Sequence, residues 1–172
     1  MRRRLAIALS ATIVILALAP GAGLARGPQK NDSVSGHGVV IFDATTTYEF
    51  RVSAHTVSDT TTLATGNMFL RLTQTGDPVL GTVIISLWAD VFCTSVAANN
   101  GEVRGHIYRM EPNLGLAGNT DLIFNVTDLS EVSDAPDLFT PTTDTTGAAT
   151  CVEPPLPGES EVAKGNITVN DE

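Results

Sequence analysis

Basic residues, histidines, cysteines and aromatics are all scarce in this chain of 172 residues, and each scarcity removes a class of chemistry. Ten Lys and Arg face 19 Asp and Glu, a formal charge of −9, so the protein repels phosphate backbones and anionic lipid. Nucleic-acid binding and peripheral membrane docking are not expected. The three histidines, His37, His55 and His106, show no paired zinc spacing such as H-E-x-x-H. No G-x-S-x-G elbow presents a nucleophilic serine, and no D-x-[DN]-x-[DN]-G loop gathers calcium ligands. Outside the N-terminal segment, no stretch carries capped apolar residues at i, i+3, i+4 and i+7, so no helix longer than a turn or two is expected.

The N-terminus sets the compartment. Arg2, Arg3 and Arg4 precede an apolar and small-residue run from Leu5 to Ala19, closed by Pro20 and Gly21. That is a charged region and a hydrophobic region shorter than the ~20 residues a membrane-crossing helix needs. Gly23 and Ala25 supply the small side chains that signal peptidase requires, whereas a cut after Ala19 would have Pro20 next to it. Cleavage is expected between Ala25 and Arg26, giving a signal peptide at 1–25, a flexible polar lead-in at 26–35 and a single β domain at 36–172. The cut leaves 7 of the 10 basic residues against all 19 acids, a charge of −12. No cysteine near the cut can carry a lipid, and the C-terminus has no apolar tail. The mature protein is expected to be soluble and extracytoplasmic, with no membrane contact after signal removal. A cationic, glycan or protein partner stays open. Exported thiols tend to oxidise, so Cys93 and Cys151 are expected to form one disulfide. A loop of that length gives up to ~4 kcal/mol in the chain-entropy model.

What the chain does have is a period of two. Tyr48, Phe50, Val52 and Ala54 alternate with Glu49, Arg51, Ser53 and His55, placing an apolar and a polar face on one strand. Met68, Leu70 and Leu72 repeat the pattern, followed by Val83, Ile85 and Leu87, by Leu122, Phe124 and Val126, and by Ile167 and Val169. Gly38 to Phe42 reads as a first strand. The fold class is therefore all-β, an antiparallel meander of seven or eight strands forming a barrel-like closed sheet, with a two-sheet sandwich as the alternative. Thr140 to Gly158, rich in Thr and Pro, reads as a surface loop.

Asn99-Asn100-Gly101 marks a hairpin. With Asn100 and Gly101 as the turn pair, Ala98 faces Val103, Val96 faces Gly105, and Cys93 faces Tyr108. Cys93 then lies on the outer face, and Cys151 tacks the 140–158 loop across the outside of the sheet, over Tyr108. The apolar phase changes from odd to even between Leu87 and Phe92, which predicts a β-bulge near Ala89 or Asp90.

The strand ending Val52-Ser53-Ala54-His55, the run Val91-Phe92-Cys93 leading to Asn99, the small-residue strand through Gly105, and Pro136-Asp137-Leu138-Phe139 form one set of landmarks. With Cys151 and the ending Gly165-Asn166-Ile167-Thr168-Val169, they resemble a family of exported bacterial β-domains of the post-COAP type, over about residues 34–171. The resemblance implies an exported all-β fold and carries over no functional residue. The acidic turn departs from the family pattern, being spread over Asp128 to Asp137 rather than a tight Asp-Asn-Gly.

Candidate chemistry is sparse. His55 and His106 are placed to meet across a sheet or to be plain polar-face residues. Asp121, Asp128, Glu131, Asp134 and Asp137 form either a solvated acidic loop or a set of oxygen ligands for calcium. Trp88 is either core or a sugar-stacking platform. The reading that follows is an exported non-catalytic module, structural, adhesive or ligand-binding, with no cofactor. The alternative is an extracellular hydrolase whose site the sequence hides. A concave site with converging polar groups would mark an enzyme, and a filled interior would mark a module. An open apolar lumen would mark a ligand-carrying barrel.

Overall fold

In the computed structural model, residues 31–57, 62–113, 120–129, 135–147, 150–151 and 155–171 are described. The proposed signal peptide, the Ala25/Arg26 cleavage site and the first half of the lead-in lie outside them. Each alternating segment forms a strand: β1 (Ser33–Ile41), β2 (Thr46–Thr56), β3 (Ala64–Asp77), β4 (Gly81–Ala97), β5 (Asn100–Glu111), β6 (Asp121–Thr127), β7 (Leu138–Asp144) and β8 (Ser160–Asn170). Every strand pairs antiparallel with the next, and β8 returns to β1, so the eight close into one barrel-like ring in sequence order. That order excludes the sandwich. No helix occurs among the described residues.

Alternation decides what fills the ring. Phe50, Phe124 and Phe139 point inward from β2, β6 and β7 and are fully buried. Phe50 and Phe139 stack at 3.9 Å, and Phe124 meets Phe139 edge-on at 4.8 Å. Such contacts add ~0.5–1.5 kcal/mol each beyond the area buried. Val34, Met68, Val103, Leu122 and Ile167 complete this plug. Gly38 makes room for it, because a Cβ there would stand 2.9 Å from the Phe50 ring and 2.7 Å from the Lys164 carbonyl oxygen.

Four expectations are corrected by the structure. The polar segment 31–35 is not all lead-in: β1 starts at Ser33, and Val34, paired with Ala54 and Val169, is buried in the core. A single valine between serines is too short a pattern to show a period. Residues 140–144 are strand rather than loop. Past Phe139, β7 pairs with β6 alone, the one-sided setting in which a sheet tolerates a proline such as Pro141.

The hairpin exists, but its register is shifted. Ala97 pairs with Asn100 and Val96 with Gly101, leaving Ala98 and Asn99 as the turn. Ala98 takes φ +52°, the positive first position of a type II′ turn. Gly101 is needed inside instead, since a Cβ there would come 2.6 Å from Val34 Cγ2. The turn is also anchored from outside: Ala98 N–H donates to Asp171 Oδ2 (2.9 Å), and Asn99 Nδ2 donates to the Asp128 carbonyl (3.0 Å). The phase change lies at Phe92, an extra residue between the pairs Val91↔Gly105 and Cys93↔Arg104. An irregularity does fall at the expected place, between Trp88 and Ala89, but its extra residue is Tyr108 on β5 rather than one on β4. Cys93 consequently pairs with Arg104, not Tyr108.

Closure is thinnest at the β7–β8 seam, where only Leu138↔Glu161 and Phe139↔Ser160 pair. Beyond them, carboxylates take the place of a strand. Ile167 N–H donates to Asp137 Oδ2 (2.7 Å) and Val169 N–H to Asp128 Oδ2 (3.2 Å). Asp137 Oδ1 also accepts Leu129 N–H (3.0 Å).

The register has a measurable sign. Ala98→Gly relieves a conformation that L-residues disfavour and is expected to raise stability by up to about 1 kcal/mol in urea denaturation. Gly101→Ala crowds Val34 and is expected to lower it by about 1–3 kcal/mol. A destabilising Ala98→Gly would instead place Ala98 in the ladder and the turn at Asn100-Gly101.

Candidate ligand-binding site

The aromatic plug fills the middle of the ring but not one end. β3 and β4 run 14 and 17 residues, whereas β6 and β7 run 7 each, so the wall is tall on one side and low on the other. The result is a cup of about 270 Å³ lined by Tyr48 from β2, Leu70 and Leu72 from β3, and Ile85 and Leu87 from β4. Ile107 and Met110 from β5, Thr120 before β6, and Pro141, Thr142 and Thr143 from β7 complete the wall. None of the described lining residues bears a charge. The same inward periodicity that builds the core builds this surface. Barrel mouths of this character are a common setting for small-molecule binding.

Charge stands around the mouth rather than within it. Asp43, in the β1–β2 connection, is held below the usual carboxylate range by hydrogen bonds from Thr45 and Thr46. Asp77, at the end of β3, is lowered by the backbone N–H groups of Leu80 and Val79. Asp144, at the end of β7, is lowered by Thr146 hydrogen bonds and by the Arg104 guanidinium. On the adjoining outer face, Arg71 is held by Glu49 (3.2 Å), and Arg109 is paired with Glu111.

The sequence-predicted residues are dispersed. Cys93 and Cys151 are bonded to each other. Cys93 faces outward as expected, yet is fully buried, because the segment carrying Cys151 covers it. Cys151 Sγ lies 3.8 Å from the Glu102 carbonyl oxygen. What this strap covers is not Tyr108, which is 57% exposed, but the outer face of β5. There Arg104 Nε donates to Glu102 Oε1 (2.9 Å) and Nη1 to Asp144 Oδ2 (3.3 Å). Such an ion network under a strap had no signal in the sequence beyond alternating charges at 102 and 104.

The described residues of the acidic stretch serve two separate purposes. Asp121 Oδ1 lies 2.6 Å from His106 Nδ1, whereas Asp128 and Asp137 close the seam. Glu131 and Asp134 lie outside the described residues. Among those described, no three His, Cys, Asp or Glu side chains gather as a metal site. His55 and His106 do not meet: β3 and β4 separate their strands, and His55 Nε2 lies 3.0 Å from Thr65 Oγ1 instead. His106 stacks on Phe92 at 4.3 Å, outside the barrel. Trp88 is not core but lies on the outer face beneath Arg109, 4.5 Å from the ring centroid.

No protein-family model, curated protein or solved structure matches the chain.

The three lowered aspartates carry a pH dependence of fixed sign. Each folded pKa lies below 3.8, so the stabilisation from their hydrogen bonds is complete above that value and is lost as pH falls through the folded pKa. Urea midpoints of wild type and of the Asp43→Asn, Asp77→Asn, Asp144→Asn triple variant are expected to differ at pH 6 and to converge toward pH 2. A gap that widens in acid would contradict the assignment.

Proposed function

We propose that this chain is an exported, non-catalytic binding module whose barrel mouth takes up a small apolar molecule. The observation that carries the reading is the uncharged cup at one end of an otherwise filled ring. A structural or adhesive domain has no need of an open apolar end, because leaving such surface wet forgoes ~25 cal/mol per Å² of burial. The disulfide is compatible with an oxidising compartment, and no helix among the described residues is long and apolar enough to cross a membrane. The resemblance to exported bacterial β-domains supports the same location.

The rival reading, a hydrolase, rests on His106 oriented by the buried Asp121 carboxylate. A histidine held in this way is equipped to move a proton. It stands, however, on the outside of the ring with its side chain 68% exposed, whereas a catalytic site excludes water in a concave pocket.

Titration with the uncharged dye N-phenylnaphthylamine decides between the two. Its fluorescence is expected to rise and saturate at one dye per chain, and Ile85→Trp, which fills the cup, is expected to abolish the rise. Panels of ester, peptide and glycoside substrates are expected to show no turnover. Turnover that disappears in a folded His106→Ala variant would replace the module with a hydrolase.

A further inference from the structure

Resting on that reading, we infer that the cup selects by charge: its ligand is an uncharged chain ending in a hydroxyl, and the carboxylate of the same chain is rejected. Size sets the length. An apolar cavity of about 150 Å³ holds benzene, so about 270 Å³ admits a chain of about ten carbons or the naphthyl half of the dye, whose phenyl ring then lies at the open mouth.

The lining sets the head group. Thr143 and Tyr48, whose side chains share the inward face with Leu122 and Leu72, offer hydroxyls that both donate and accept, which suits an alcohol. A carboxylate would enter without a counter-ion, since among the described residues the wall holds no Lys, Arg or His, and an unpaired charge out of water is strongly disfavoured. The surroundings add to this. Asp43 and Asp77 stand at strand ends around the mouth and are held ionised by their hydrogen bonds, Asp144 there is paired with Arg104, and the neighbouring Arg71 and Arg109 are engaged by Glu49 and Glu111. An ammonium head is drawn weakly by these exposed, solvent-screened aspartates but finds no carboxylate in the described wall to replace its lost water, so it gains less than the alcohol does.

The test is displacement of N-phenylnaphthylamine from the full secreted chain at neutral pH by decanol, decylamine and decanoate. Decanol is expected to bind tightest, decylamine next, and decanoate at least about tenfold more weakly than decanol. Thr143→Arg, which adds a cation at the exposed rim of the cup, is expected to raise decanoate binding relative to decanol about tenfold. Ile85→Trp and Leu72→Trp, checked for folding by circular dichroism, are both expected to remove all three competitors along with the dye. Decanoate matching decanol, or decylamine exceeding it, overturns the charge rule while leaving the cup as a binding site. A folded wild type that takes up no dye overturns the binding reading itself, and the charge rule with it.

Discussion

Ring closure depends on the backbone amides of Ile167 and Val169. The edge of a strand left without a partner presents N–H groups that either meet water, recruit another chain or find a substitute acceptor. β7 is too short to reach them, pairing with β8 at two positions only. Two buried carboxylates do so instead. Asp137 takes Ile167 and Leu129 through its two oxygens, while its own carbonyl accepts Val162 N–H at 2.8 Å. Asp128 takes Val169, and its N–H donates to the Asn99 carbonyl at 2.8 Å. Backbone donors compensate the desolvation of these acids, and the acids join the β6–β7 connection to the last strand and to the β4–β5 turn.

From this closure follow both the core and the cup. With the ring shut, the inward residues of eight strands converge on a stacked pair of phenylalanines, Phe50 and Phe139, with Phe124 edge-on to both, and the unequal strand lengths leave one end open. On the outer face of β5, Cys151 is bonded to Cys93 and its Sγ lies 3.8 Å from the Glu102 carbonyl oxygen, on the strand that carries the Glu102–Arg104 pair. The disulfide therefore leaves the lumen untouched.

Legibility in the sequence followed the strength of the local period. β2, β3, β4, β6 and β8 are clear in the alternation of Tyr48 to His55 and its counterparts, and the closed all-β ring with the Cys93–Cys151 bond agrees with expectation. β7 was hidden because one inward phenylalanine, Phe139, is followed by Thr and Pro, whose composition is that of a loop. The turn register was misread because Asn-Gly is a strong local turn signal, whereas the demand for a glycine at 101 comes from Val34, far away in sequence. The acidic stretch reads as a solvated loop for a similar reason: composition shows the carboxylates, but only the closed ring shows that Asp128 and Asp137 are buried against the amides they face. The cup was legible as a possibility, since an open lumen is one of the ways a meander can end, but its location depends on the heights of eight strands.

Amide hydrogen exchange at residues 167 and 169 tests the closure most directly. Ile167 and Val169 are expected to be protected to the level of Phe124 in the core, since each opens only when the ring does. In Asp137→Asn, Ile167 and Leu129 are expected to exchange faster than in wild type while Phe124 keeps most of its protection. Wild-type exchange at Ile167 and Val169 as fast as at an exposed strand edge would contradict closure by carboxylates.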